Sequence, residues 1–230
     1  MSSSEACKPV LKLDWCSHAA AKYAVEHWHY SRSLSASKSA RLGVWEDGVF
    51  IGVILFGWGN NRNMPKMFKL DQTECAEMLR VALTKHAAPV SRIIAIAARL
   101  LRAEFPSMRA LVSYADPSQG HHGGIYQGAG WIYTGRSASN EAYEVNGVLL
   151  HKRRLTGGSY GHAPPPMPAG AKRVVPPAKY RYVLPLDAAM RAQIAPLAKP
   201  YPKRLCAVPS TPPGAPERVG GATPTTALQP

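Results

Sequence analysis

The sequence predicts an α/β fold in which a mixed central sheet is flanked by helices and followed by a basic, proline-rich extension. Three observations carry this expectation. Strand-like and helix-period segments alternate through the middle of the chain, so the central strands are joined through helices. The dipeptides Asp47-Gly48 and Asn146-Gly147 each separate two strand-like runs, the signature of a tight antiparallel hairpin. Composition then changes sharply: five of the 21 prolines precede residue 151 and sixteen follow it.

The elements follow in order. Ser17–His29 places Ala20, Tyr23, Ala24, His27 and Trp28 at helical spacing, with Asp14 and Ser17 as caps, and reads as a first helix. Ser31–Ser39 is a polar, serine-rich loop. Ala40–Glu46 and Val49–Phe56 flank Asp47-Gly48 and form a hairpin, because that turn needs positive φ. Trp58–Thr73 is a loop and Cys75–Thr84 a third strand. Pro89 and Ser91 open a helix over Arg92–Glu104 with a stripe of Ile93, Ile96, Ala97, Leu100 and Leu101. Arg109–Ala115 is a compact strand ending at Asp116-Pro117. A short helix around Ile125–Ala129 stops at Gly130. Trp131–Arg136, Glu141–Val145 and Val148–Arg153 are the last strands of the domain. Lys179–Leu186 adds a short strand, and Asp187 caps a brief helix to about Leu197. The expected division is an N-terminal segment at 1–14, a catalytic domain at 15–155, a basic extension at 156–206, and a disordered Pro/Gly/Thr/Ala tail at 207–230.

Charge follows the same division. The formal net charge is +14, from 28 Lys+Arg and 14 Asp+Glu. Residues 1–150 hold 16 basic and 12 acidic groups, whereas residues 151–204 hold 11 basic groups and only Asp187. A near-neutral domain with a strongly basic extension points to an anionic partner, nucleic acid first. Met1–Lys12 lacks a continuous apolar core, and Val49–Gly59 is far shorter than the ~20 residues of a membrane span. Cys7, Cys16, Cys75 and Cys206 have no C-x-x-C spacing, so buried or idle thiols are expected in a soluble intracellular protein.

Several residues carry chemistry. Arg80 is flanked by apolar residues in its strand, and either points into a site or lies on a solvated face. It feeds the helix start at Pro89–Arg92, where unpaired N–H groups attract an anion. Ser91 is either that helix's cap or a cofactor contact. Asp116 sits at the carboxyl end of a buried strand, where open α/β sheets hold ligands. There it could engage an exocyclic amine, with His121 or His122 shuttling a proton. The plainer reading is an Asp-Pro turn with surface histidines. His27-x-His29 and His121-His122 lack a recognised metal spacing, and no metal site is expected. G-x-G-x-x-G, the Walker loop, G-x-S-x-G and the zinc-deaminase pattern are absent. Asp116-Pro117-Ser118 departs from the Asp-Pro-Pro-Tyr of adenine methyltransferases.

Taken in order, several segments resemble the phage Mom proteins, a family related in fold to the acetyl-coenzyme-A-dependent N-acetyltransferases (the GNAT fold). They are His29-Tyr30-Ser31, Arg41–Gly48, Leu79-Arg80-Val81, Ser91-Arg92, Ser113-Tyr114-Ala115-Asp116, Gly120-His121, and Gly124-Ile125-Tyr126-Gln127 with Gly130-Trp131. The resemblance covers residues 15–155, and less specifically the strand at Lys179–Leu186 with its following helix. It implies conversion of adenine to N6-carbamoylmethyl-adenine in phage DNA, shielding that DNA from host restriction inside the host cytoplasm. Tyr30, Arg80, Ser91 and Asp116 match residues important in the family, and Tyr126 matches the helix tyrosine that acts as general acid in the acetyltransferases. The expected site is thus Tyr30, Asp116, Tyr126 and His121 for catalysis, with Arg80, Ser91 and Arg92 for cofactor. Double-stranded DNA is the expected partner, held by Lys152, Arg153, Arg154, Lys172, Arg173, Lys179 and Arg181. Acetyl-coenzyme A is the cofactor the resemblance implies. However, His86-Ala87-Ala88-Pro89-Val90-Ser91 departs from the Gln/Arg-x-x-Gly-x-Gly/Ala pyrophosphate loop, and a carbamoylmethyl group is joined through its methylene carbon rather than as an acetyl. An ordinary N-acetyltransferase acting on a protein or small amine, and a DNA-binding protein with a relic fold, are the competing readings.

Overall fold

A computed structural model describes residues 8–34, 38–59, 61–139, 141–146, 148–151 and 167–203. Lys152, Arg153, Arg154 and the tail at 207–230 lie outside the described residues. The strands are β1 (Leu11–Trp15), β2 (Ser39–Glu46), β3 (Val49–Gly57), β4 (Cys75–Leu83), β5 (Ala110–Ala115), β6 (Ile132–Arg136), β7 (Ala142–Val145), β8 (Val148–His151), β9 (Lys172–Val174) and β10 (Tyr180–Pro185). The helices are α1 (His18–Trp28), α2 (Val90–Glu104), α3 (Gly124–Gly128) and α4 (Ala188–Ile194). Seven strands make one mixed sheet in the order β1-β2-β3-β4-β5-β10-β6, and β8-β7-β9 make a separate small sheet. This is the mixed, helix-flanked α/β architecture that the alternation of periods predicts.

The local signals are realised as physical devices. Ser17 caps α1 by accepting from the Ala20 amide at 3.1 Å. Asp47 and Gly48 take φ of 50° and 82°, the left-handed pair that turns β2 into β3 without splaying them. Asp187 caps α4 by accepting from Met190 N at 2.6 Å, and its carboxylate also takes Arg109 Nε at 3.0 Å.

Helices cover both faces of the sheet. On one face α2 buries Ile93, Ile94, Ala97, Ala98 and Leu101 against Leu42, Val44, Ile54, Phe56 and Leu111. On the other, α1 buries Ala21, Ala24 and Val25 against Val53, Leu55 and Ala82. Beside it α4 buries Met190 and Ile194 against Ala110, Val112 and Val183.

Two boundaries differ from the sequence expectation. Residues 11–15 form an edge strand, pairing antiparallel with β2 from Leu11↔Glu46 to Trp15↔Leu42, so the sheet begins inside the segment assigned to 1–14. Lys12 and Asp14 mask that strand, as charges often do on a sheet edge. Likewise the extension is no appendage. β10 runs between β5 and β6, antiparallel to both, and Tyr182 and Val183 have no exposed surface. The Tyr182 ring lies where a Cβ on Gly123 (φ +86°) would come within 2.2 Å of it, so α3 and β10 meet through a position only glycine fits. A chain ending at residue 155 therefore leaves β5 and β6 without their shared partner and shows no cooperative melting transition by circular dichroism.

Candidate functional site

The site originates in a defect of the sheet. β4 and β5 run parallel but pair over only three positions, Cys75↔Ala110, Ala76↔Leu111 and Glu77↔Val112, after which the two strands part. The pairing of β4 with β3 also shifts register at this point, with Phe56 opposite Met78 but Leu55 opposite Arg80. Leu79 is thus a bulged residue. A bulge resets side-chain alternation, so Glu77 and Arg80, three positions apart, both line the same cleft. Ser113 spans the opening: its hydroxyl donates to the Tyr126 hydroxyl at 2.8 Å and approaches the Met78 carbonyl at 3.4 Å.

The cleft encloses about 460 Å³ and is lined by Tyr30, Glu77, Arg80, Tyr114, Asp116 and Lys179, with Ser137–Ser139 and Pro176–Pro177 closing one side. Of the sequence-predicted residues, Tyr30, Arg80 and Asp116 meet here. Arg80 is steered by backbone carbonyls, donating from Nη1 to Leu79 O at 2.6 Å and from Nε to Ser33 O at 3.4 Å. Tyr30 is 54% exposed, and the His121 ring meets it edge-on with centroids 5.7 Å apart. Neighbouring His29 is neutral: burial first, then Arg80 and His121, bring its pKa down to about 4. Its Nδ1 accepts from the Ser31 amide at 3.1 Å.

Two carboxylates share the cleft in opposite states. Asp116 accepts from Ser118 N at 3.0 Å and Ser118 Oγ at 2.6 Å, and pairs with Lys179 Nζ at 2.9 Å. Its partial burial alone would raise the pKa, but the bonds from Ser118 and Lys179 outweigh it and hold the group below the ordinary carboxylate value. Asp116 is therefore a committed anion. Glu77 was not singled out by the sequence reading, although a carboxylate three residues before Arg80 in an apolar strand is a usable signal. Burial pushes its pKa from 4.5 to about 7, against the opposing pull of Arg80 and Lys179. The chain at Gly59 lies directly over it, since a Cβ there would come within 1.9 Å of Glu77 Oε2. Glu77 is the group in the cleft that changes charge near neutral pH.

The remaining expectations land elsewhere. Tyr126 is 8% exposed in the core beneath α2; burial pushes its hydroxyl up to about 12, and it accepts from Ser113 Oγ at 2.8 Å. Ser91 does not cap α2, whose cap position is Pro89 with no side-chain cap. Its side chain instead packs on α3, where a Cβ on Gly128 would stand 3.2 Å from it. Arg92 reaches the Pro9 carbonyl at 3.3 Å. Both sit at the start of α2, on the face opposite the cleft.

The start of α2 also decides the fit of a coenzyme pyrophosphate. The amides of Ala87 and Ala88, which would face such an anion, donate to the Glu46 carboxylate at 2.8 and 2.7 Å. The nest holds a carboxylate of the protein itself, and the residues present do not fit a pyrophosphate there. Among the described residues no group of three His, Cys, Asp or Glu is placed to hold a metal, and no helix is long and apolar enough to cross a membrane. Cys75 is buried, with its pKa raised to about 12 by burial, Glu77 and Glu74. A larger groove, about 770 Å³, opens on the α2 face between Trp15, Arg41, Trp58 and Phe105, but it is mainly apolar.

Among the described residues, three of the four cations assigned to DNA are engaged within the protein. Lys179 pairs with Asp116, and Arg173 pairs with Glu141. Arg181 donates to Thr134 Oγ1 at 2.9 Å and Thr134 O at 3.1 Å. Lys172 is exposed on β9.

The sequence profile of the Mom protein family matches residues 10–203. Methylcarbamoylase mom of Escherichia phage Mu is 27% identical over 146 residues, spanning 62% of this chain and 60% of that protein. Among solved structures, FeeM, an N-acyl amino acid synthase from uncultured soil microbes, is similar with 14% identity and a TM-score of 0.44, covering 83% of this chain and 98% of that one. Spermidine N-acetyltransferase from Vibrio cholerae, solved with CoA and spermine, is similar with 9% identity and a TM-score of 0.42, covering 76% and 95%.

Two stability measurements test this geometry. Ionised Glu77 is disfavoured only in the folded state, so its effect on stability is absent below pH 4.5 and grows as pH rises to about 7. Glu77→Gln removes that loss, and its melting midpoint at pH 8 rises above wild type by about 3–6 °C, whereas at pH 4.5 the two coincide. Glu46→Ala strips two amides of their acceptor and costs on the order of 1 kcal/mol, a fall of about 2–4 °C. Acetyl-coenzyme A leaves the wild-type midpoint unmoved.

Proposed function

We propose that this chain, which belongs to the Mom protein family, is a transferase that places a carbamoylmethyl group on the N6 amine of adenine in double-stranded DNA, protecting phage DNA from host restriction. The observation that carries this reading is the pairing, in one base-sized cleft, of a carboxyl group poised near neutrality with fixed cations. A volume of about 460 Å³ suits a single planar ring system and its reacting partner.

An adenine inside a duplex cannot present its amine to such a cleft and must leave the stack, at a cost of a few kcal/mol. The exposed face of Tyr30, braced by His121, supplies a surface on which the extruded base stacks, worth about 1–3 kcal/mol. The amine is a weak nucleophile because its lone pair is shared with the ring. As N6 forms its bond to the donor methylene carbon, the leaving group departs with the electron pair of the broken bond. Glu77 takes the N6 proton. Arg80, fixed by Leu79 O and Ser33 O, faces the negative charge that develops on the departing group. Asp116, bound to Ser118 and Lys179, stays ionised and holds the Lys179 ammonium at the cleft rim. Tyr126 and Ser113 keep the strands apart rather than exchanging a proton with substrate.

The test is mass spectrometry of nucleosides from the DNA of expressing cells. Wild type yields a deoxyadenosine heavier by the carbamoylmethyl group; Glu77→Gln yields less than about 1% of that product, a loss in the range of removing a general base. In vitro, kcat/KM rises with pH through about 7, the pKa of Glu77, and levels off above it. Unmodified deoxyadenosine from folded wild-type protein, with acetyl transfer to a small amine instead, refutes the assignment in favour of an ordinary N-acetyltransferase.

A further inference from the structure

Between β3 and β4 the chain takes a long excursion through residues 58–74. Its only carboxylates, Asp71 and Glu74, come at the end, so residues 58–70 carry Arg62, Lys66 and Lys69 with no acidic group among them. One turn of 3-10 helix, Pro65–Phe68, interrupts it, and connections of this length are commonly functional.

The segment is fixed rather than loose. Met64, Pro65, Phe68 and Leu70 are buried, and Met64, Phe68 and Leu70 pack with Val183, Met190 and Ile194. Gln193 Nε2 of α4 donates to Phe68 O at 2.5 Å. Arg181 of β10 lies over the Phe68 ring at 5.9 Å and reaches Met67 Sδ at 3.6 Å. With those four positions turned inward, Arg62, Asn63, Lys66, Met67 and Lys69 are all exposed. The platform also borders the reaction cleft: Asn61 lines it, and Tyr114 both lines the cleft and packs on the cluster that holds Met64 and Phe68.

We propose that Arg62, Lys66 and Lys69 form the platform that grips the phosphate backbone of duplex DNA beside the cleft. This rests on DNA being the substrate. A base entering the cleft brings its flanking phosphates to the rim, and cations carried on a backbone already held in place cost less to order than those of a loose loop. Among the described cations of the extension, Lys179, Arg173 and Arg181 are poorer candidates, since they already serve Asp116, Glu141 and Thr134. From Arg62 to Lys69 the exposed apolar residue is Met67 at 49%, which gives this patch no membrane-inserting face.

The experiment is fluorescence anisotropy on a labelled duplex across a salt series, comparing wild type, Arg62→Gln/Lys66→Gln/Lys69→Gln, and Lys172→Gln. Three lost phosphate contacts lower the slope of log K against log salt by about 2.7 and weaken binding on the order of a hundredfold at 0.1 M salt. Lys172→Gln leaves both near wild type. Each single platform variant lowers the slope by about 0.9, which keeps the test open if the triple variant folds poorly. A triple variant with wild-type slope and affinity overturns this proposal alone. A wild type without salt-sensitive duplex affinity overturns it together with the DNA reading.

Discussion

The parting of β4 from β5 is the constraint on which the rest of the structure depends. Two parallel strands that separate inside a sheet leave facing edges without ladder partners, and buried backbone groups left unpaired are costly. Ser113 is the local answer, bridging Met78 O and the Tyr126 hydroxyl. The burial of Tyr126 and the apposition of α3 to β10 at Gly123 follow from the same need to seal the opening on the α2 face. On the opposite face the opening remains, and the bulge at Leu79 turns Glu77 and Arg80 toward it together.

That opening sets the electrostatics. A carboxylate at the cleft floor loses water and rises toward neutrality, while one at the rim finds an amide, a hydroxyl and an ammonium and falls. Glu77 and Asp116 are chemically similar and differ in protonation for that reason. The sequence points to Asp116 as the active carboxylate, whereas the proposed mechanism gives the proton-accepting role to Glu77. Likewise Glu46 occupies the nest before α2, where the missing glycines had already made a pyrophosphate site doubtful.

Much of the fold was legible because its signals are local. Asp47-Gly48 specifies a turn from the φ its residues tolerate, Ser17 and Asp187 specify helix starts from one short hydrogen bond each, and the stripe on α2 specifies which side faces the sheet. The misses are equally physical. Edge strand β1 carries Lys12 and Asp14 and does not look apolar, and the bulge at Leu79 leaves no mark in composition. Of the site, Tyr30, Arg80 and Asp116 were recognised and do converge. Ser91, Arg92 and Tyr126 were recognised too, but they lie at the start of α2 or in the core.

The sequence by itself determined the element types, the hairpin turn, the helix caps and an excess of positive charge, because each depends on neighbours a few residues apart. Only the tertiary structure decided that β10 sits inside the sheet, that burial raises Glu77 while Ser118 and Lys179 hold Asp116 ionised, and that Lys179, Arg173 and Arg181 are engaged within the protein. Those outcomes depend on burial and on partners far along the chain, such as Lys179 beside Asp116 and Arg181 beside Phe68, which no local pattern encodes.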